Sequence, residues 1–579
     1  GRETLVSNTV GDSNIAIGYQ TLLLSTTGSD NVAVGRQALW SNTHSGYNIA
    51  IGRNALYNNT SHIGYNSAIG YLALESQTTG YYNTAVGALA SRLMTSGSVN
   101  TSVGMYSLHK NTTGARNVAL GYSALICNQT GGDNIAVGTQ ALYCTTGSCN
   151  AALGTCALYK NTTGQCNVAV GYGSLFTNVT GDHNVAVGTH ALVTNNACDN
   201  TAVGMYGLRY NTTGTKNVAL GFEAGFCNTT ANDNTGLGYC ALRCVTTGYG
   251  NVGVGSCALR GGANITGYGN IGIGHCAGRN IISSSGNIIL GYGAGTNLTT
   301  GNFNVGIGML ALSVNAQCEG EVAIGFGSLK SSVTGMGNVA IGYTSQCLSN
   351  AANNTSVGFD ALFANTAGCG NTVVGKSALR SNSTGNYNAA FGFCALNANT
   401  AHDNTAVGTY AMISNTSGLY NVAVGKDSLR SNTTGDSNAA FGRIALYKNT
   451  VGNYNTSIGQ GSMYYNVSGT GNTAVGSGTM SSNCGGCYNT AVGNSALQSA
   501  RYSCCNTVVG YGAAYTNTIG KNNIAMGNNA FYYNTEGCYN TALGTIAMHV
   551  NTTGGNNTAV GYAALYDNTT VLGNVAHGF

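Results

Sequence analysis

The stretch Asn117-Val118-Ala119-Leu120-Gly121 decides the fold, because close variants of it recur along the chain about every 17 residues. The first variant begins at Asn14, the last begins at Asn574, and 34 copies can be aligned. With the first Asn as position 1, the repeat is N-x-A-V-G-x-x-A-L-x-x-N-T-T-G-x-x. A fixed period of this length is the signature of an architecture in which neighbouring copies stack on one another. We therefore expect one continuous stack in place of several globular domains.

Composition narrows the class of protein further. The chain of 579 residues has 88 glycines, no proline, 7% charged residues and a net charge of +4. The absence of proline is typical of strands that donate hydrogen bonds along their whole length. The few charges are scattered and form no basic stripe, so no nucleic-acid partner is predicted. No run of 18 apolar residues is present, so no membrane span is predicted either.

Each copy contains two short apolar segments, positions 2–4 and 8–9, separated by a glycine and by an Asn-Thr-Thr-Gly turn. Neither segment is long enough for a helix, and Val, Ile and Thr favour strands. The pattern predicts an all-β fold, a parallel β-solenoid resembling a β-roll, with about 34 coils of about 17 residues. We predict a single domain over residues 1–579. Between about residues 217 and 310, Gly225, Gly278 and Gly295 replace the leucine of position 9 and predict thinner coils.

The columns of the repeat predict different structural roles. Asparagines at position 1 should stack into a ladder of side-chain amides. Members of this predicted ladder are Asn14, Asn31, Asn48, Asn117, Asn167, Asn421 and Asn557. Glycine at position 5 should form a corner with positive φ. Position 4 is apolar in every copy but the last, which has His577, so we expect its side chains in the core. The uniform alanine of position 3 then predicts a close contact, either with a neighbouring chain or with the opposite wall of a very thin coil.

Twenty cysteines fall partly into shared columns. Equivalent residues in adjacent coils should lie about 4.8 Å apart, within the Cα separation of a disulfide. The candidate disulfide pairs are Cys127 with Cys144, Cys149 with Cys166, Cys227 with Cys244, Cys240 with Cys257, and Cys487 with Cys504. Such bonds would indicate an oxidising, extracellular setting. Zinc is the alternative at Cys484-Gly-Gly-Cys487, with Cys504 and Cys505 completing the site.

Two further features of the repeat each allow two interpretations. N-x-[ST] sequons recur at position 12, where Asn also favours the turn itself. The candidate glycosylation sites are Asn111, Asn161, Asn211, Asn432, Asn551 and Asn568. Tyrosines often precede the ladder asparagine, where they either pack or form a platform for sugars. These are Tyr47, Tyr82, Tyr387, Tyr420, Tyr454, Tyr488 and Tyr539.

The repeat resembles two groups of fibrous proteins. Its Val-Ala-Ile-Gly-like core is similar to the head repeats of YadA-type trimeric autotransporter adhesins, and its N-T-A-V-G-x-x-A-L pattern is similar to repeats of bacterial and phage tail-fibre-like proteins. The resemblance implies a secreted or surface-displayed fibre, a β-roll, and a homotrimer. This chain departs from the adhesins in its longer period of about 17 residues and in having no coiled-coil stalk.

These features favour a structural extracellular filament, located outside the cell or on the cell or virion surface. Gly1 aligns with position 5 and Phe579 with position 6, so both ends fall inside a coil and should expose strand edges that pair with another copy. We therefore expect end-to-end stacking. The alternative is an adhesin or tail-fibre shaft that binds a receptor or glycan on a cell surface. No nucleophile, base and orienting group recur together, so we expect no enzyme, and no cofactor or metal residue is predicted beyond the zinc alternative.

Overall fold

The computed structural model describes residues 1–262 and 264–578 and confirms the parallel β-solenoid. Each coil contributes one strand of three residues at positions 2–4, then a glycine corner and a series of turns. The described residues contain 34 such strands and no helix. Phe579, the end of the predicted single domain, lies outside the described residues, as does Ala263.

The strands all share this position in the repeat. They are β1 (Ile15–Ile17), β2 (Val32–Val34), β3 (Ile49–Ile51), β4 (Ser67–Ile69), β5 (Thr84–Val86), β6 (Thr101–Val103), β7 (Val118–Leu120), β8 (Ile135–Val137), β9 (Ala151–Leu153), β10 (Val168–Val170), β11 (Val185–Val187), β12 (Thr201–Val203), β13 (Val218–Leu220), β14 (Thr235–Leu237), β15 (Val252–Val254), β16 (Ile271–Ile273), β17 (Ile288–Leu290), β18 (Val305–Ile307), β19 (Val322–Ile324), β20 (Val339–Ile341), β21 (Thr355–Val357), β22 (Thr372–Val374), β23 (Ala389–Phe391), β24 (Thr405–Val407), β25 (Val422–Val424), β26 (Ala439–Phe441), β27 (Thr456–Ile458), β28 (Thr473–Val475), β29 (Thr490–Val492), β30 (Thr507–Val509), β31 (Ile524–Met526), β32 (Thr541–Leu543), β33 (Thr558–Val560) and β34 (Val575–His577).

The chain divides into two compact units, Gly1–Ile289 and Leu290–Phe579. In the first unit, β1 to β16 form a continuous series of parallel pairs in register, in which Ala119 lies opposite Ala136. In the second unit, β18 to β34 pair in the same way, and Ala423 lies opposite Ala440. Residues at the same position of successive repeats therefore lie side by side in neighbouring coils, because these strands pair without a shift in register.

The predicted orientation of the strand side chains is wrong. In β7 the middle residue, Ala119, is fully buried, whereas Val118 and Leu120 are only half-buried. Ala119 belongs to one core cluster with Ala124 and Leu125 of the same coil. The alanine column therefore faces the opposite wall of a thin coil, which was one of the two alternatives, and the apolar residues of position 4 face outward. A coil this narrow favours a small side chain between strand and turn, although Val373 and Val508 are also fully buried at this position.

The second apolar segment forms a turn in place of a strand. Leu125 and Leu429, at position 9, are fully buried and have φ values of +52° and +47°. Their N–H groups still bond to the next coil, as Leu429 N does to Ala445 O at 3.0 Å. The turns are consequently tied to their neighbours by backbone hydrogen bonds, as the strands are.

Two of the three glycines at position 9, Gly278 and Gly295, do not leave the core empty. A Cβ added to Gly278 would lie 2.6 Å from Cδ2 of Leu259 and 3.0 Å from Cδ1 of Ile281. Ile281 stands at position 12, where most coils have asparagine, and it fills the space that the leucine vacates. Leu298 stands at the same position three residues after Gly295 and is fully buried. An apolar side chain from position 12 thus replaces the missing leucine in both coils.

Candidate functional site

The asparagine ladder is the most regular polar feature of the coils. Asn438 donates from Nδ2 to Oδ1 of Asn421 at 3.1 Å and to the carbonyl oxygen of Gly452 at 2.8 Å. Its own Oδ1 accepts the backbone N–H and the Nδ2–H of Asn455, both at 3.0 Å. The side chain is almost completely buried, and each of its hydrogen-bonding atoms has a partner. Ladder hydrogen bonds of this kind involve all seven predicted members, Asn14, Asn31, Asn48, Asn117, Asn167, Asn421 and Asn557.

Position 12 forms a second buried column of amides, which does not support glycosylation. Asn432 is fully buried, and its Nδ2 donates to Asn415 Oδ1 at 2.8 Å and to Gly435 O at 2.9 Å. The same bond to a carbonyl oxygen three residues later occurs at Asn111, Asn161, Asn211 and Asn551, which are also fully buried. Attachment of a glycan to these nitrogens is incompatible with the folded coil. Asn568 is half-buried. The structure therefore supports the turn interpretation of the sequons.

The candidate disulfides are not formed. All ten candidates are free thiols, namely Cys127, Cys144, Cys149, Cys166, Cys227, Cys244, Cys240, Cys257, Cys487 and Cys504. In-register stacking holds equivalent side chains side by side at about 4.8 Å, whereas a disulfide brings the two Cβ atoms to about 3.5–4.5 Å. The cysteines thus give no support for an oxidising environment.

Two of these thiol pairs differ in their electrostatics. A hydrogen bond from the Cys227 thiol lowers the pKa of Cys244 to about 6, and the positive charge of Arg243 acts in the same direction, against the effect of burial. Burial raises the pKa of Cys144 to about 12, and a hydrogen bond with Cys127 adds to this increase. Both pairs occupy position 11. The positive charges of Arg243 and Arg260 act on Cys244, whereas the positive charge acting on Cys144 is that of Lys110.

The tyrosines that precede the ladder asparagine stand outward. Tyr47, Tyr82, Tyr387, Tyr420, Tyr454, Tyr488 and Tyr539 are all more than half exposed. Where adjacent coils both carry one, the rings lie against each other. Tyr47 and Tyr65 stack with their ring centroids 4.8 Å apart, and Tyr65 and Tyr82 are tilted by 31° at 5.1 Å. Stacking of this kind stabilises the column, while the outer edge of each ring stays in contact with solvent.

The described part of the chain contains neither a metal-binding cluster nor a membrane-spanning helix. Residues 1–262 and 264–578 contain no group of three or more His, Cys, Asp or Glu side chains placed to hold a metal ion, and this includes Cys484, Cys487, Cys504 and Cys505. No helix capable of crossing a membrane occurs in the same two ranges.

Comparison of the chain with protein-family models and with curated proteins finds no match.

Proposed function

We propose that this chain is a structural component of an extracellular filament, in which copies stack end to end. The observation that carries the proposal is the interface between neighbouring coils. Asn438 donates to the coil before it and accepts from the coil after it, and the same pattern repeats through each unit. A coil without a neighbour has unpaired donors on one side or unpaired acceptors on the other. The complementary side of a coil in another copy would satisfy them, so the same interface can join two copies.

The resemblance to adhesin-head and tail-fibre repeats supports a location outside the cell or on the surface of a cell or virion. It also supports a homotrimer as an assembly beside the end-to-end stack. The low charge of the chain, 7% of residues, favours both assemblies because little electrostatic repulsion opposes close approach of copies.

Electron microscopy and sedimentation of the purified chain over a wide range of concentration test this proposal. We expect filaments whose length grows with concentration and whose fibre diffraction shows a spacing of about 4.8 Å along the axis. Filament width distinguishes one chain from three in cross-section. Particles of one chain length at every concentration would contradict the filament proposal.

A further inference from the structure

A groove of about 480 Å³ opens on the outside of the coils in the second unit, around Gly512. Gly512 occupies position 7, where the preceding and following coils carry Ser495 and Asn529. The groove therefore lies where one coil lacks the side chain that both of its neighbours have. Its volume falls within the range of about 300–1,000 Å³ that is usual for small-ligand sites.

Aromatic rings form the walls of this groove. Tyr515 and Tyr532 stack with their centroids 5.0 Å apart and an angle of 6° between the rings. Tyr533 stands nearly perpendicular to Tyr532, at 4.8 Å and 75°. Tyr511 is 60% exposed and Tyr533 is 48% exposed. The walls consequently offer apolar ring surface together with phenolic hydroxyls, which can donate and accept hydrogen bonds.

A buried acceptor lies at the groove. Oδ1 of Asn529 is shielded from solvent and has no hydrogen-bond partner, although buried polar atoms in proteins are nearly always bonded. A Cβ added to Gly512 would lie within van der Waals overlap of this oxygen, so Oδ1 points toward the space that the missing side chain leaves. The backbone oxygen of Asn529 is already bonded to Nδ1 of His549 at 3.0 Å. This oxygen has no surface open to solvent, so a ligand hydroxyl in the groove reaches it when the Asn529 side chain turns away from Gly512.

We propose that this groove binds a neutral pyranose unit of a glycan. The groove lining contains no carboxylate, ammonium or guanidinium group, and its imidazole, of His549, is bonded through Nδ1 to the backbone oxygen of Asn529. A pyranose has a flat apolar face, which matches the exposed rings of Tyr511 and Tyr533. Its rim of hydroxyls matches the Asn529 amide, Ser495 and the tyrosine hydroxyls. The site lies within a single unit, so it is independent of filament assembly.

Glycine at position 7 does not by itself create such a site. Gly478 occupies the same position with a similar backbone, φ +64° against +58° for Gly512. Its flanking residues at positions 6 and 10 are Ser477 and Ser481 in place of tyrosines. Gly478 therefore supplies a matched control, because substitution there adds the same methyl group without touching an aromatic wall.

Titration of the intact chain with the methyl glycosides of glucose, galactose, mannose and N-acetylglucosamine, followed by saturation-transfer NMR and calorimetry, tests the proposal. We expect at least one of these sugars to bind, and Gly512→Ala and Asn529→Ala each to weaken its binding about tenfold or more. Gly478→Ala should leave binding unchanged. Ala563 has φ +52° at the same position, so alanine is compatible with this backbone.

Circular dichroism and the melting temperature of each variant show that it has folded. Two results would overturn the proposal. One is that none of the four glycosides binds to the wild-type chain at concentrations up to about 10 mM. The other is that the Gly512→Ala and Asn529→Ala variants bind the sugar as strongly as the Gly478→Ala variant does.

Discussion

Oε1 of Glu321 accepts the Nδ2–H of Asn338 at 3.0 Å, which places a carboxyl group inside the asparagine ladder. Glu321 is fully buried, and its Oε2 has no hydrogen-bond partner. Burial raises the pKa of this carboxyl from 4.5 to about 7. The ladder thus contains one group whose charge changes near neutral pH.

Stability of the coils around Glu321 should fall as the pH rises from about 4.5 to about 7. A carboxyl with a raised pKa keeps its proton in the folded state at pH values where the unfolded chain has already lost it. Deprotonation therefore favours unfolding, by up to roughly 3 kcal/mol once the pH exceeds the folded pKa. Hydrogen exchange of β19 and β20 at pH 5 and pH 8 measures the effect, since coils in solenoids open locally.

Glu321→Asn should remove this pH dependence and stabilise these coils at pH 8, because asparagine restores the ladder without a buried charge. Glu319→Gln provides the control, since it removes one charge from an exposed side chain two residues away. The prediction is wrong if the two substitutions change the pH dependence of exchange equally.

Loss of a single ladder amide should be costly. Asn438→Ala leaves the N–H of Asn455 and the carbonyl oxygen of Gly452 without their side-chain partners. Each unsatisfied buried group costs roughly 1–3 kcal/mol, so we expect a loss of about 3 kcal/mol or more. Asn453→Ala is the comparison, because the Asn453 side chain is only half-buried and accepts one N–H, from Asp436.

Hydrogen exchange in β25 to β27 measures both variants. Asn453→Ala should cost about 1 kcal/mol, and equal losses in the two variants would show that the ladder contributes no more than an ordinary surface hydrogen bond.

The ladder and the glycine corner could be predicted from the sequence because, in a stack of repeats, residues at the same position of successive repeats contact one another. Asn421 and Asn438 are 17 residues apart, so in-register pairing must bring their amides together. The inward face of the strand could not be predicted in the same way. Because side chains alternate along a strand, either Ala119 or Leu120 must face the core, and side-chain size favours Leu120. The choice depends on the width of the coil, which the repeat does not encode locally.

The groove around Gly512 was also beyond sequence reasoning. Its recognition requires that position 7 faces outward, and that the aromatic residues of positions 6 and 10 in neighbouring coils face the same gap. Neither orientation follows from the spacing, because positions 6, 7 and 10 lie in turns with alternating φ signs. A strand, by contrast, orients its side chains with a fixed period. The sequence did show the tyrosines themselves, but it could not distinguish packing from exposure.

Corner glycines should tolerate no side chain. Gly425 has φ +132°, and a Cβ there would lie 2.6 Å from the carbonyl oxygen of Gly442 in the next coil. Gly425→Ala must therefore separate two hydrogen-bonded coils, and we expect a loss of more than about 3 kcal/mol. Gly461→Ala adds a methyl group where φ is +63° and the nearest atom, Cδ1 of Ile444, is 3.9 Å away. That variant should lose only about 1–2 kcal/mol, the cost of a left-handed conformation.

Thermal unfolding and hydrogen exchange of the two glycine variants separate crowding from backbone strain. Similar losses at Gly425 and Gly461 would indicate that strain alone restricts the corner and that the close approach of the coils has no effect.

The thiols of Cys244 and Cys144 should differ in reactivity at neutral pH, although both lie at position 11. A pKa near 6 makes Cys244 largely a thiolate at pH 7, whereas a pKa near 12 keeps Cys144 protonated. The thiolate is the nucleophile, so iodoacetamide should modify Cys244 at least about tenfold faster.

Cys227→Ala removes the donor that stabilises the Cys244 thiolate and should slow its modification. Cys127→Ala should have the opposite effect on Cys144, because Cys127 raises the pKa of that thiol. Peptide mass spectrometry over pH 6–10 measures both rates, and changes of the same sign in the two variants would contradict this account of the pairs.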